Sequence, residues 1–108
     1  METARVLVVD DDEIILYTLS TILSLHNFHV TTASTVAEAL RQITSNHYDV
    51  LLSDLHMPAA GDGLTVVSAM RHANPQAVTM LLSAFPAGVP VRRVGLAEAV
   101  TATRDFLA

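Results

Sequence analysis

Short apolar runs alternate with longer amphipathic segments through the first three quarters of the chain. Consecutive apolar residues dominate Arg5–Val9, Asp49–Ser53 and Ala77–Leu82, which is typical of strands buried on both faces. Phe28–Thr32 alternates between apolar and polar residues and is a fourth predicted strand. Because a helical segment separates each strand from the next, the strands are expected to run parallel. The pattern predicts an α/β domain with helices on both faces of a parallel sheet.

The segments between these strands carry apolar residues at helical spacing. Asp11 or Asp12 can cap the first helix, and Thr35 with Glu38 has the spacing of a capping box at the start of the second. A loop containing proline and glycine precedes the third helix. The predicted helices are Glu13–Leu25, Thr35 to about Asn46, and Leu64–His72, with the loop at Met57–Gly63.

The pattern loosens after Ser83, where two prolines and two glycines fall within ten residues. Leu96–Leu107 is a predicted helix, because apolar residues again form one stripe. A fifth parallel strand has no evident place, since six residues separate Leu82 from the apolar segment Val89–Val94. A parallel crossover needs about a dozen residues or more. We therefore expect one domain over residues 1–108, well patterned over 1–86 and divergent or truncated over 87–108.

Charge and composition exclude several classes of protein. The chain has 108 residues, eleven acids, six bases and a net charge of −5, which disfavours direct binding of nucleic acid. It contains no cysteine, so neither disulfides nor cysteine-ligated zinc are expected. No apolar run approaches the roughly 20 residues that span a bilayer, and the first residues do not resemble a signal peptide. A cytoplasmic location is the expectation.

Polar side chains follow three of the predicted strands. Asp10, Asp11 and Asp12 follow the first, Asp54 the third and Ser83 the fourth. Sites in open α/β sheets lie at the carboxyl ends of strands, so these groups should meet in one cleft. Any one aspartate could simply cap a helix or form a turn. Together, however, the acids would repel one another, and Mg²⁺ with its preference for oxygen ligands would neutralise them. The sequence therefore predicts a Mg²⁺ site with room for a phosphoryl group.

At these residues the chain resembles the receiver domains of response regulators in two-component signal transduction. The resemblance covers residues 4 to about 86 and implies a flavodoxin-like fold with strand order 2-1-3-4, the fifth strand–helix unit being incomplete here. The matching stretches are Val8–Glu13, Leu51–Pro58, Asp62–Leu64 and Leu82–Ala84.

The resemblance also implies a role for each site residue. Asp54 is the expected phosphoacceptor. Asp10, Asp11, Asp54 and the backbone carbonyl of His56 are the expected Mg²⁺ ligands, and the Ser83 hydroxyl is expected to bond the phosphoryl group. Charge neutralisation by the metal and by hydrogen-bond donors is what phosphoryl transfer chiefly requires. Such a domain is not an enzyme acting on other substrates; it assists only its own phosphorylation and dephosphorylation.

The chain departs from the family at its C-terminal end. Receiver domains carry a lysine at the end of the fifth strand, whereas this chain has no lysine, and Arg104 is the nearest stand-in along the sequence. Without a fifth strand the fourth would be an exposed edge with unpaired backbone groups. Exposed edges favour association, so we expect a homodimer, in which segments could be exchanged between copies.

The sequence is compatible with three functions. In the first, a histidine kinase or phosphotransfer protein phosphorylates Asp54, and a partner protein reads the change. In the second, the missing lysine marks a pseudo-receiver that binds proteins without phosphorylation. The third, a Mg²⁺-dependent phosphatase, would need an acid two residues after the nucleophile, where His56 stands instead. Labelling of Asp54 by a phosphoryl donor separates the first from the second.

Overall fold

The computed structural model describes residues 3–54, 62–81 and 92–93. Strands and helices alternate through the described ranges, as the apolar pattern predicts. The elements are β1 (Arg5–Val9), α1 (Glu13–Leu25), β2 (His29–Ala33), α2 (Val36–Ser45), β3 (Val50–Ser53), α3 (Asp62–Ala73), β4 (Val78–Leu81) and β5 (Arg92–Arg93).

All strand pairs in the sheet are parallel, and the order is β2-β1-β3-β4-β5. The predicted order 2-1-3-4 is confirmed. The register places Val9, Ser53, Leu81 and Arg93 side by side in one row across four strands. These are the last residues of their strands, so the carboxyl ends of β1, β3, β4 and β5 form one edge.

The fifth strand corrects one expectation. We could place no fifth parallel strand from the sequence, yet β5 pairs with Met80 and Leu81 of β4. It has only two residues and begins three positions later than the apolar segment Val89–Val94. This later start leaves the ten residues 82–91 for the connection, which is closer to the dozen or so that a parallel crossover usually needs than the six residues counted from the apolar pattern. The predicted helix Leu96–Leu107 lies outside the described residues.

Helices cover both faces of the sheet, as predicted. On one face Leu7, Val9 and Leu51 pack with residues of α2 and α3. On the other face Val8 and Leu52 pack with α1. The alternation of side chains along each strand produces this division. The helical residues that complete the two clusters are Ala39, Ile43, Val66, Val67 and Met70 on the first face and Leu16, Leu19 and Leu23 on the second.

Side-chain caps set the starts of two helices. The Asp12 carboxylate accepts a bond from the N–H of Ile14 at 2.9 Å, and the Thr35 hydroxyl oxygen accepts one from the N–H of Glu38 at 3.1 Å. Asn27, with φ of 68°, reverses the chain between α1 and β2. Within the described ranges, no helix is long and apolar enough to cross a membrane.

Candidate metal centre at the carboxyl edge of the sheet

Main-chain hydrogen bonds hold two acids directly beyond the ends of neighbouring strands. The N–H of Asp54 donates to the carbonyl of Val9 at 2.8 Å, and the N–H of Asp10 donates to the carbonyl of Ala33 at 3.1 Å. The parallel ladder thus continues one residue past β1 and β3. As a result, the backbone of the sheet sets the spacing between the two acids.

Three carboxylates converge at this edge. One oxygen from each of Asp10, Asp11 and Asp54 lies within 4.8 Å of the others. Asp10 is 2% exposed, Asp54 is partly exposed and Asp11 is exposed, so the cluster runs from the interior to the surface. The structure therefore brings together three of the acids that the sequence placed at one edge, while their chemical roles stay predictions.

Burial and neighbouring charge disfavour ionisation of Asp10. Its pKa is raised from 3.8 to about 6, first by burial and further by the nearby carboxylates of Asp54 and Asp11. The N–H of Asp12, which donates to Asp10 Oδ1 at 2.8 Å, acts in the opposite direction. A negative charge on Asp10 is therefore costly until positive charge arrives nearby.

The donor set suits a hard divalent cation. Asp10, Asp11 and Asp54 offer oxygen alone, which is what Mg²⁺ prefers, and Mg²⁺ commonly binds through one or two carboxylates plus water and phosphate oxygens. Among the described residues, no thiolate or imidazole, the ligands that favour zinc and copper, joins this cluster. The three carboxylates therefore fit Mg²⁺.

Asp12 has a different structural role from Asp10 and Asp11. Its side chain caps α1, and it is not in the group of converging carboxylates. The sequence allowed either Asp11 or Asp12 as the cap. The structure assigns the cap to Asp12, which leaves Asp11 at the cluster.

Ser53 is a residue that the sequence analysis did not single out. It ends β3, is 0% exposed, and donates from its hydroxyl to the carbonyl of Asp54 at 3.3 Å. The sequence feature that could have identified Ser53 is a hydroxyl residue at the end of an otherwise apolar strand, Val50–Ser53.

Two predicted site residues, His56 and Ser83, lie outside the described residues, as does Arg104. The expected carbonyl ligand and the expected phosphoryl hydrogen bond therefore stay predictions. The acidic half of the predicted site is the part that the structure places.

Comparisons with known proteins match most of the chain to one family. The family model for the response regulator receiver domain matches residues 6–101. The transcriptional regulatory protein PrrA of Mycobacterium tuberculosis is 45% identical over 80 residues, covering 74% of this chain and 34% of that protein. PrrA of Mycobacterium leprae is 42% identical over 84 residues, covering 78% of this chain and 36% of that protein. The chain thus spans about a third of the length of these relatives.

Solved structures agree with the family. The response regulator protein TrrA from Thermotoga maritima, in complex with Mg(2+)-BeF, has a TM-score of 0.79 and 26% identity over 98% of this chain and 100% of that one. A CheY-like response regulator receiver domain from Methanospirillum hungatei has a TM-score of 0.84 and 20% identity over 98% and 94% of the two chains. The second likeness shows the fold alone. The strand order, the acidic edge and the match over residues 6–101 lead to one assignment: the chain belongs to the response regulator receiver domain family.

Proposed function

We propose that Asp54 accepts a phosphoryl group from a histidine kinase or phosphotransfer protein in the presence of Mg²⁺. The convergence of Asp10, Asp11 and Asp54 within 4.8 Å, at the carboxyl edge of the sheet, is the observation that carries this proposal. Burial makes Asp54 a better acceptor than Asp10. Asp10 is almost fully buried, and Asp54 is partly exposed at the end of a strand that the backbone of β1 holds in place.

The proposed reaction is a transfer between two nucleophiles. A carboxylate oxygen of Asp54 forms a bond to phosphorus as the bond from phosphorus to the donor imidazole nitrogen breaks, and the imidazole leaves. Mg²⁺, when bound, neutralises charge on the phosphoryl oxygens. Asp10 and Asp11 hold the metal beside Asp54. The acyl phosphate carries about 1.5 to 2 negative charges where the Asp54 carboxylate carried one, which makes bound metal still more favourable.

The residues outside the described ranges complete the proposal. We assign a fourth metal ligand to the backbone carbonyl of His56, and the phosphoryl hydrogen bond to the Ser83 hydroxyl. The support for both is their match to the family motif in sequence. In this role the domain assists its own phosphorylation and dephosphorylation and turns over no other substrate.

The output of the domain is a change read by a protein partner. The mycobacterial relatives are named transcriptional regulators, and this chain matches only about a third of their length. A net charge of −5 argues against contact between this domain and nucleic acid. We therefore propose that phosphorylation alters a protein-binding surface.

A homodimer is part of the same proposal. Within the described residues, β5 pairs with only the last two residues of β4, so Val78 and Thr79 have no partner there on that side of the strand. Open backbone groups at a sheet edge favour pairing with a second copy, including by segment exchange. Light scattering coupled to gel filtration tests this directly. A single monomeric species at the highest attainable concentration would exclude the dimer.

The test of the proposed function is a mass measurement. The protein is incubated with Mg²⁺ and acetyl phosphate, and its intact mass is recorded beside the Asp54→Asn variant and a sample containing EDTA. The expected result is the gain of one phosphoryl group in the wild-type protein with Mg²⁺ and no gain in either control. No gain in the wild type would exclude the phosphoacceptor role and support the phosphorylation-independent interaction module.

A further inference from the structure

Ser53 stands out among the buried residues of the sheet. Within the described ranges, Asp10 and Ser53 are the buried polar or charged residues, and every other residue of β3 is apolar. Val9 and Leu81, which flank Ser53 in its row, are also apolar. Burying a hydroxyl among such neighbours is unfavourable unless it forms a hydrogen bond. Packing and strand preference alone would favour valine or another β-branched apolar residue here.

The hydrogen bond that Ser53 makes is to the neighbouring acceptor residue. Its hydroxyl donates to the carbonyl of Asp54 at 3.3 Å. The N–H of Asp54 is already held by Val9 at 2.8 Å. The two peptide groups on either side of the Asp54 Cα atom are therefore both fixed, one by the backbone of β1 and the other by Ser53.

We propose that Ser53 is a positioning residue, whose buried hydroxyl fixes the peptide group after Asp54 and thereby directs the Asp54 carboxylate toward Asp10 and Asp11. This inference rests on the proposed phosphoacceptor function. The Asp54 carboxylate is only one methylene from the backbone, so a tilt of the peptide plane is passed on to its oxygens. Misplacement of a reacting group by about 1 Å can slow a reaction about 100-fold. The Ser53 hydrogen bond, at 3.3 Å, is longer than the usual O–H···O distance of about 2.7–2.8 Å. We therefore expect its loss to slow phosphoryl transfer by less than about 100-fold.

A matched pair of substitutions isolates the hydroxyl. Ser53→Thr keeps it, and Ser53→Val replaces it with a methyl group on a side chain of nearly the same shape. Both add bulk at a buried position, so their packing costs should be similar. Ser53→Ala serves as a second variant without added bulk.

The rate of phosphoryl gain from acetyl phosphate is measured at saturating Mg²⁺. We expect Ser53→Val and Ser53→Ala to be labelled about five- to tenfold more slowly than Ser53→Thr, which corresponds to the loss of one hydrogen bond. Ser53→Thr should stay within about twofold of the wild type. Melting temperatures should not follow this order, because valine removes a buried hydroxyl and favours a strand.

The outcomes separate this inference from the proposed function. Equal labelling rates for the threonine and valine variants would overturn the positioning role and leave the phosphoacceptor role intact. A lower melting temperature for both valine and alanine variants, with wild-type labelling rates, would show a structural role only and also overturn it.

Absence of labelling in the wild type would exclude the proposed phosphoacceptor function. The positioning role of Ser53 would then be tested by measuring Mg²⁺ affinity. Titration of the backbone amide signals with Mg²⁺ should show binding about tenfold weaker in Ser53→Val than in Ser53→Thr, since the proposed metal site uses the Asp54 carboxylate whether or not that residue is phosphorylated. Equal affinities would overturn the inference.

Discussion

The N–H of Asp54 donates to the carbonyl of Val9 at 2.8 Å, so the strand that ends in one acid is bonded to the strand that ends in the other. The distance between Asp54 and Asp10 is therefore a property of the parallel sheet. Two carboxylates on loops could move apart and relieve their repulsion. The hydrogen-bonded backbone of β1 and β3 holds Asp10 and Asp54 near each other instead. The folded protein therefore retains the repulsion between the carboxylates, and a bound cation would relieve it.

Removal of the α1 cap should affect stability and leave phosphorylation intact. Asp12→Ala removes the bond to the N–H of Ile14 and keeps the Asp12 N–H that donates to Asp10. Loss of such a cap costs about 1 kcal/mol of unfolding free energy. Urea denaturation measures the cost, and labelling with acetyl phosphate measures the function.

Thr35→Ala is the matched control for that cap, since Thr35 caps α2 through the N–H of Glu38. Both variants should lose similar stability and keep wild-type labelling. If Asp12→Ala alone lost labelling, Asp12 would belong to the metal site and the assignment of the cap as its main role would be wrong.

Neutralising Asp10 should stabilise the metal-free protein and impair its function. Asp10→Asn keeps an oxygen for the N–H of Asp12 and removes a charge that burial and two neighbouring carboxylates disfavour. At about pH 7.5 without metal, the expected gain in unfolding free energy is about 1–3 kcal/mol. Stabilisation by added Mg²⁺ and labelling of Asp54 should both fall sharply.

Asp11→Asn provides the comparison for Asp10→Asn, because Asp11 is exposed. Thermal unfolding with EDTA and with Mg²⁺ should show a smaller gain in metal-free stability for Asp11→Asn. A metal-free Asp10→Asn protein less stable than the wild type would contradict the electrostatic account of the cluster.

Most of the fold could be predicted because β1, β3 and β4 are short, mainly apolar runs separated by clear helical patterns. Boundaries were less accurate. β2 begins at His29 and not at Phe28, which packs on the core from outside the strand. α3 begins at Asp62, two residues before the predicted Leu64, because its first turn is Asp-Gly and carries no apolar signal.

The site could be predicted only in part. Asp10, Asp11 and Asp54 were found because acids follow buried strands, and parallel topology brings strand ends together. β5 was missed because two arginines carry no apolar pattern; only pairing with β4 makes them a strand. Ser53 was missed because its meaning depends on complete burial and on the carbonyl it contacts, and neither is visible in sequence.

The opposite edge of the sheet should be structural only. The Tyr48 ring is buried, its hydroxyl donates to Gln42 Oε1 at 3.1 Å, and the Arg5 guanidinium lies 5.6 Å from its ring centre. Tyr48→Phe keeps the ring and removes one hydrogen bond, so we expect a loss of about 1 kcal/mol in unfolding free energy. Labelling of Asp54 should not change. A slowed labelling rate in the folded variant would show coupling between the two edges of the sheet.

The stability of the metal-free protein should rise as the pH falls from about 7.5 to 5. The pKa of Asp10 is raised from 3.8 to about 6 in the folded state, so the folded protein binds a proton more tightly than the unfolded chain. The stabilisation from protonated Asp10 is complete below 3.8, the pKa of this group in the unfolded chain, and is lost as the pH rises through about 6. Between about pH 7.5 and pH 5 the free energy of unfolding should increase by about 1 kcal/mol.

Urea denaturation at several pH values, with EDTA present, measures this gain, and Asp10→Asn should flatten the dependence. With saturating Mg²⁺ the trend should reverse over the same range, because protons compete with the metal for the Asp10 carboxylate. If the metal-free stability of the wild type, measured relative to Asp10→Asn, fell on acidification from about pH 7.5, the Asp10 carboxylate would be stabilised in its charged form. In that case the cluster would hold positive charge from the protein itself, and the need for a cation at this edge would disappear.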